Sequence, residues 1–196
     1  LCLADLDTVE NRLGKVARKA QTKEKDAMAE FETLSKIKPG LEAGTPVRLM
    51  DLSDKDREQI RNYSLLTAKP VIYVANMSDE EVNDPMSSSY YAQVKKLADE
   101  EGSECIAICA RMEEELAGLD KEEKKAFLDD LGIERSGLDQ IITAAYHLLG
   151  LRTFFTVGEP ECRAWTFREG MLAPQCAGVS HTDFERGFIR AEIYSY

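Results

Sequence analysis

The chain has 196 residues, of which 36 are acidic and 25 are basic, so its formal net charge is -11. An excess of negative charge repels a phosphate backbone, which excludes a nucleic-acid interface spread over the whole surface and leaves only local basic clusters. Hydrophobic residues make up 43% of the chain, which is enough for one complete domain or for parts of several.

The five cysteines form no C-x-x-C pair, and only two histidines could join them. We therefore expect no metal site. The odd number of cysteines, the lack of a signal-peptide pattern and the lack of a long apolar run predict a soluble cytoplasmic protein with no membrane contact. The first residues have a helical pattern and no initiator Met, so we expect the sequence to be cut from a longer chain.

Residues 1–62 have the pattern of a helical hairpin. Apolar residues recur at three- and four-residue spacing from Leu3 to Ala20 and continue more sparsely, which predicts one helix to about residue 38. Prolines and glycines at 39–46 indicate a turn, and a capping box at Ser53 opens a second helix. Coiled-coil packing and an ordinary helical bundle both fit this pattern.

Residues 63–150 have the pattern of a strand–helix–strand unit followed by helices, as in a doubly wound α/β sheet. The two apolar runs lack polar alternation, which is typical of strands buried on both faces. The predicted elements are strands at 70–76 and 105–110 and helices at 87–101, at about 112–130 and from Ser136 to Gly150.

Residues 151–196 have a β-rich pattern of their own. Two short runs at 152–157 and 162–167 predict strands joined by a turn at 158–161. The last six residues, AEIYSY, also have a strand pattern, so we expect a small β module that is incomplete. We expect its aromatic residues to lie in its core rather than to stack on bases; these are Phe154, Phe155, Trp165 and Phe167.

Polar or small residues follow each predicted strand of the α/β segment. Ligands of such sheets bind at the carboxyl ends of the strands. An N-x-x-D sequence there can use its amide to brace neighbouring loops and its carboxylate to accept hydrogen bonds from a purine, although Asn and Asp are also common turn residues. The order and the spacing of about thirty residues favour a nucleotide base site. Its predicted members are Asn76, Met77, Ser78, Asp79, Cys109, Ala110 and Arg111.

The phosphate-binding half of a nucleotide site is not in the sequence. No G-x-x-x-x-G-K-[ST] motif occurs, and Gly14-Lys15 lies within the predicted first helix. We therefore expect no catalytic residue in this chain, no Mg²⁺ or phosphate held by its own residues, and no hydrolysis of nucleotides by the chain alone.

Three stretches of the sequence are informative together: residues 3–13, 65–81 and 148–193. Through them the chain resembles the Obg-like ATPase (YchF) family over essentially its whole length. The resemblance implies a P-loop NTPase sheet of which residues 63–150 form the second half, a helical hairpin inserted at residues 1–62, and a ubiquitin-like β-grasp (TGS) module at residues 151–196. It also implies cytoplasmic location, association with the ribosome or ribosomal RNA, and hydrolysis of ATP with Mg²⁺ by the complete protein.

Two positions depart from the family. The family usually has Glu at position 79 and Ser at position 109, where this chain has Asp79 and Cys109. Asp at position 79 is the residue type that guanine-specific relatives use, so GTP remains an alternative to ATP as the bound nucleotide. A non-catalytic module that binds the ribosome or RNA is the alternative to an enzyme.

Overall fold

The structure is a computed structural model, and it describes residues 1–22, 24–159 and 161–194. The chain divides into two compact units, Leu1–Val71 and Ile72–Tyr196. The helices are α1 (Cys2–Gln21), α2 (Lys25–Glu42), α3 (Asp54–Ile60), α4 (Ser89–Glu100), α5 (Ala110–Ala117), α6 (Lys121–Asp130), α7 (Gly137–Leu148), α8 (Ala173–Ser180) and α9 (Thr182–Arg186). The strands are β1 (Ile72–Asn76), β2 (Glu104–Ile108), β3 (Leu151–Val157) and β4 (Cys162–Arg168).

The first unit is built on an α-helical hairpin formed by α1 and α2. Ion pairs from Lys38 to Glu10 and from Arg12 to Glu30 join the two helices, so they run antiparallel. The prediction of one helix to about residue 38 is wrong, because both arms of the hairpin lie within that stretch. The break between the helices falls where the apolar stripe is interrupted.

The predicted turn at residues 39 and 40 is also wrong. Pro39 and Gly40 lie inside α2, whose last turns bury Ile37 and Leu41 almost completely. The helix ends instead before Gly44, whose φ of 78° is the left-handed conformation that glycine adopts most easily. The capping box predicted at the start of α3 is confirmed.

Residues 63–71 pack with the helices of the first unit rather than with the sheet that follows them in the chain. The carboxylate of Asp5, whose residue is 2% exposed, accepts hydrogen bonds from the backbone N–H of Leu66 at 2.8 Å, from the N–H of Thr67 at 2.7 Å and from its hydroxyl at 2.6 Å. A buried carboxylate needs such donors, and this short segment supplies them. The division of the chain at residue 62 stays a prediction.

In the second unit, β1 and β2 pair in parallel, with α4 between them in sequence, so the strand–helix–strand prediction is confirmed. Tyr91 of α4 lies near Cys105, whereas Gly137 of α7 lies against Ile108. Because these two β2 residues point to opposite sides of the strand, α4 and α7 cover opposite faces of the sheet. Full burial of β1 was predicted wrongly: Val74 is 43% exposed, because α7 packs mainly over β2.

The helical segment after β2 differs from its predicted form at one point. The helix expected at about 112–130 is divided into α5 and α6, because Asp120 opens α6 with a capping box of its own. The last helix begins at Ser136 and is followed by Gly150 with a φ of 61°, as predicted.

The β3 and β4 strands form an antiparallel hairpin. The Gly158 N–H donates to the Glu161 carbonyl at 3.0 Å across the predicted turn, of which residue 160 lies outside the described residues. Phe154, Trp165 and Phe167 are half-buried, but Phe155 is 60% exposed on the other face, so its core placement was predicted wrongly.

Residues 169–194 differ from their predicted form. Two short helices, α8 and α9, follow the β hairpin and were not predicted. The final strand was also predicted wrongly for residues 191–194, which pair with no strand of the described chain; residues 195 and 196 lie outside the description.

Candidate nucleotide base site

The candidate site lies where β1 and β2 end side by side. The parallel register places Asn76 opposite Ile108. The backbone N–H of Met77 donates to the carbonyl of Ile108 at 2.7 Å, which continues the pairing one residue past β1. The two segments predicted to form the site therefore leave the sheet next to each other.

The amide side chain of Asn76 bridges these segments. Its Oδ1 accepts a hydrogen bond from the backbone N–H of Ala110 at 3.0 Å. Because the partner is an N–H donor, the contact itself fixes which end of the amide is the oxygen. This is the bracing contact expected of an Asn at the end of such a strand.

Cys109 and Ala110 form the start of α5 at this point. Cys109 is 5% exposed and is the N-cap residue, and its carbonyl accepts the first helical bond from Glu113. The N–H groups of Arg111 and Met112 lie in the first turn, where a helix supplies no acceptor of its own. The site can therefore offer backbone donors at a helix N-terminus.

Three of the predicted side chains are directed elsewhere. The Ser78 hydroxyl accepts the Glu81 N–H at 3.3 Å and donates to its carboxylate at 3.0 Å, which opens the turn that follows β1. Asp79 is exposed in this turn. The Arg111 guanidinium pairs with Glu115 at 3.5 Å along α5, and both side chains are exposed. The structure thus brings together Asn76, Met77, Cys109 and Ala110.

One residue that supports the site was not among the predicted site residues. Glu113 is half-buried, and its carboxylate accepts the backbone N–H of Gly137 at 2.6 Å and of Leu138 at 3.2 Å. Glu113 follows Cys109 by four residues, a spacing that places both residues on one side of α5. This spacing was the one feature of the sequence that indicated a position near the site. No sequence pattern identified its partner.

A cavity of about 240 Å³ lies beside the start of α5. Its lining is mixed: Ile108, Met112 and Leu116 contribute apolar surface, Glu113 and Arg135 contribute charged groups, and Tyr91 and Cys105 also line it. Burial raises the pKa of the Cys105 thiol and of the Tyr91 hydroxyl above their ordinary values, so both are neutral at pH 7. The cavity therefore adds no charge to the site from these two groups.

Within the described ranges 1–22, 24–159 and 161–194, no three His, Cys, Asp or Glu side chains are grouped closely enough to bind a metal ion. No helix of this described part is both long and apolar enough to cross a bilayer.

Comparison with known proteins shows similarity along the whole chain. The protein named ribosome-binding ATPase YchF of Bacillus subtilis (strain 168) is 50% identical over 196 residues, which are 100% of this chain and 54% of that protein. The protein of the same name from Escherichia coli O157:H7 is 46% identical over 197 residues, covering 100% of this chain and 53% of that protein.

Over its whole length the chain is similar to proteins of the YchF family. Residues 151–196 match the family YchF-GTPase_C, described as a protein of unknown function (DUF933). The solved structure of the Schizosaccharomyces pombe YchF GTPase superposes with a TM-score of 0.82 at 35% identity, covering 96% of this chain and 51% of that one. The chain therefore spans about half the length of the YchF relatives it matches.

Proposed function

We propose that this chain is part of a ribosome-associated nucleoside triphosphatase that binds and hydrolyses ATP in the cytoplasm, and that this portion recognises the base and contacts partners. In this proposal residues 1–62 are a coiled-coil insertion, residues 63–150 are the second half of a P-loop NTPase sheet, and residues 151–196 belong to a TGS module. The relatives' names and their greater length support it. The hydrogen bond between Asn76 and Ala110, at the ends of two parallel strands, carries the base-site assignment.

The residues of the candidate site do not fit a Mg²⁺ site of their own. Mg²⁺ needs a compact set of oxygen ligands, but Asp79 is exposed on a turn and the Ser78 hydroxyl is bonded to Glu81. In the complete protein we assign the ion and the phosphates to residues other than these.

The Asn76–Ala110 contact favours adenine over guanine at the Ala110 position, whereas the N–H groups of Arg111 and Met112 are donors that guanine could use. Guanine has a carbonyl at C6 and needs a donor there, whereas adenine has an amine and needs an acceptor. The Ala110 N–H is already donated to Asn76, while the Asn76 oxygen keeps a second lone pair. Asp79 is exposed rather than buried against the site, so a guanine contact through it would be weakened by water.

Turnover and binding assays test the proposal. We expect the natural protein that contains this chain to hydrolyse ATP with Mg²⁺ and the 196-residue chain alone to show no rate above buffer. Asn76→Ala in the natural protein should raise the Kd for ATP roughly tenfold, since bracing of the loop is lost. Asn83→Ala, at another exposed Asn after β1, is the matched control. An unchanged Kd in Asn76→Ala would reject the site.

The second candidate function is a non-catalytic module that binds the ribosome or RNA. The observation that favours it is the name of the relatives, ribosome-binding ATPase YchF. The groove of about 250 Å³ between α1 and α2 is lined by three basic residues, Arg12, Lys15 and Lys19, and by three acidic residues, Glu24, Asp26 and Glu30. Co-sedimentation with ribosomes separates the two functions: the module should bind equally with and without ATP and should lack turnover in its natural, complete form.

A further inference from the structure

Glu113 joins two helices that meet behind the candidate base site. It lies one turn after Cys109 on α5, and its carboxylate accepts two backbone N–H groups at the start of α7, from Gly137 at 2.6 Å and Leu138 at 3.2 Å. A carboxylate at a helix N-terminus is stabilised by both the free N–H groups and the helix dipole. The start of α5 is thus bonded to a second helix.

A close steric contact reinforces the same junction. Gly137 is buried, and a Cβ added to it would lie 2.7 Å from Cγ2 of Ile108 and 3.0 Å from the Glu113 carboxylate. Glycine at this position lets α7 approach the end of β2 directly. Ile108 in turn accepts the Met77 N–H through its carbonyl. The N-terminus of α7 therefore contacts the end of β2, which is paired in turn with the segment that leaves β1.

The start of α7 has its own fixed geometry. Ser136 is 1% exposed, and its hydroxyl accepts the Asp139 N–H at 3.2 Å. Because Ser136 already caps α7, the hydrogen bonds that Glu113 accepts are not needed to start this helix. They instead fix the position of α5 relative to α7.

We infer that Glu113 is a positioning residue for nucleotide binding: by holding the first turn of α5 against α7 and the end of β2, it fixes Cys109 and Ala110 where the purine base binds. This inference rests on the proposed function, because it assigns a role at the same site. Glu113 acts through the backbone of α5 and does not itself contact the nucleotide.

Binding of two probes to the natural protein tests this role. ATP reports base and phosphate contacts together, and inorganic tripolyphosphate reports phosphate contacts alone. We expect Glu113→Ala to weaken ATP binding roughly five- to tenfold and to leave tripolyphosphate binding unchanged. Glu113→Gln keeps one acceptor oxygen at nearly the same shape and should recover part of the loss. Glu114→Gln, at the exposed neighbouring residue, is the control and should change neither.

Thermal unfolding of each variant accompanies the binding measurement. A merely structural role for Glu113 would lower the unfolding midpoint of Glu113→Gln and Glu113→Ala but leave the ratio of the ATP and tripolyphosphate affinities at its unsubstituted value. That result would overturn the inference. Equal loss of both affinities overturns it as well. If the unsubstituted protein binds tripolyphosphate but not ATP, the proposed base site fails, and this inference fails with it.

Discussion

The side-chain oxygen of Asn76 accepts the backbone N–H of Ala110 at 3.0 Å, across 34 positions of sequence. The contact joins the end of one parallel strand to the first residue of the helix that follows the other. It holds the segments that follow β1 and β2 at a fixed separation without a ligand. It also occupies the backbone N–H of Ala110, which is then not free to bind a ligand.

The first prediction concerns this bond. Asn76→Ala should speed amide hydrogen exchange of Ala110 roughly fivefold, because an exposed hydrogen bond of about 1 kcal/mol is lost. Exchange measured by NMR on the 196-residue chain checks this. Asn83→Ala should leave the Ala110 rate unchanged. Equal Ala110 rates in the unsubstituted chain and Asn76→Ala would show that the bond does not persist in solution.

Asp5 is predicted to be a principal stabilising residue of the first unit. Asp5→Ala removes the acceptor of three hydrogen bonds and leaves the backbone donors of Leu66 and Thr67 unpaired. We expect the free energy of unfolding to fall by about 2–4 kcal/mol. Urea unfolding of Asp5→Ala should be compared with that of Asp7→Ala, an exposed Asp on the same helix. Similar losses in both variants would contradict the assigned role.

Asp56 makes the stability of the first unit depend on pH. Its carboxylate accepts hydrogen bonds from Ser53 at 2.7 Å, Lys36 at 3.0 Å and Thr33 at 2.8 Å. These bonds, that from Ser53 foremost, hold the pKa of Asp56 well below its ordinary value of 3.8. A lowered folded-state pKa stabilises the fold above the unfolded pKa, and the contribution is lost as pH falls through the folded pKa.

The corresponding variant is Asp56→Asn. We expect it to be less stable than the unsubstituted chain at pH 7, and the difference to shrink as pH is lowered from about 5 to about 2. Urea unfolding at each pH measures it. Asp54→Asn, at an exposed position of the same helix, should show a small difference at every pH. A difference for Asp56→Asn that stays constant would refute the assignment of the shift.

Two glycines should respond oppositely to substitution by alanine. Gly137→Ala should lower the free energy of unfolding by about 1–3 kcal/mol, because its Cβ would collide with Ile108. Gly14→Ala should raise it by up to about 1 kcal/mol, since Gly14 is exposed within α1 and its added Cβ meets no atom within 4 Å in the described structure. Thermal unfolding checks both signs. If Ile108→Ala does not reduce the cost of Gly137→Ala, the collision is not its cause.

The sequence predicted the parts of the fold that are encoded locally. The start of α3 at Ser53 and of α7 at Ser136 depended on short-range caps, and the parallel pairing of β1 and β2 followed from two apolar runs around a helix. The turn at Pro39 was predicted wrongly because burial of neighbouring apolar residues outweighed a local helix breaker. Tertiary packing decided that element.

The candidate site was predictable to a similar extent. Strand ends located Asn76 and Ala110, because parallel strands finish at one edge of a sheet. The partners of Asp5 and of Glu113 lie 62 and 24 positions away in sequence, and neither pair has a spacing that a helix or strand period indicates. Such contacts depend on how elements pack and were visible only in the folded structure.

We propose that the ends of β1 and β2 bind a purine base and favour adenine. Competitive binding of ATP and GTP to the natural protein, with Asp79→Ala measured beside it, tests this most directly. We predict that ATP binds about tenfold more tightly than GTP, or about 1.4 kcal/mol, and that Asp79→Ala keeps this preference because Asp79 is exposed. Tighter binding of GTP, with the advantage removed by Asp79→Ala, would show that Asp79 recognises guanine and would contradict the claim.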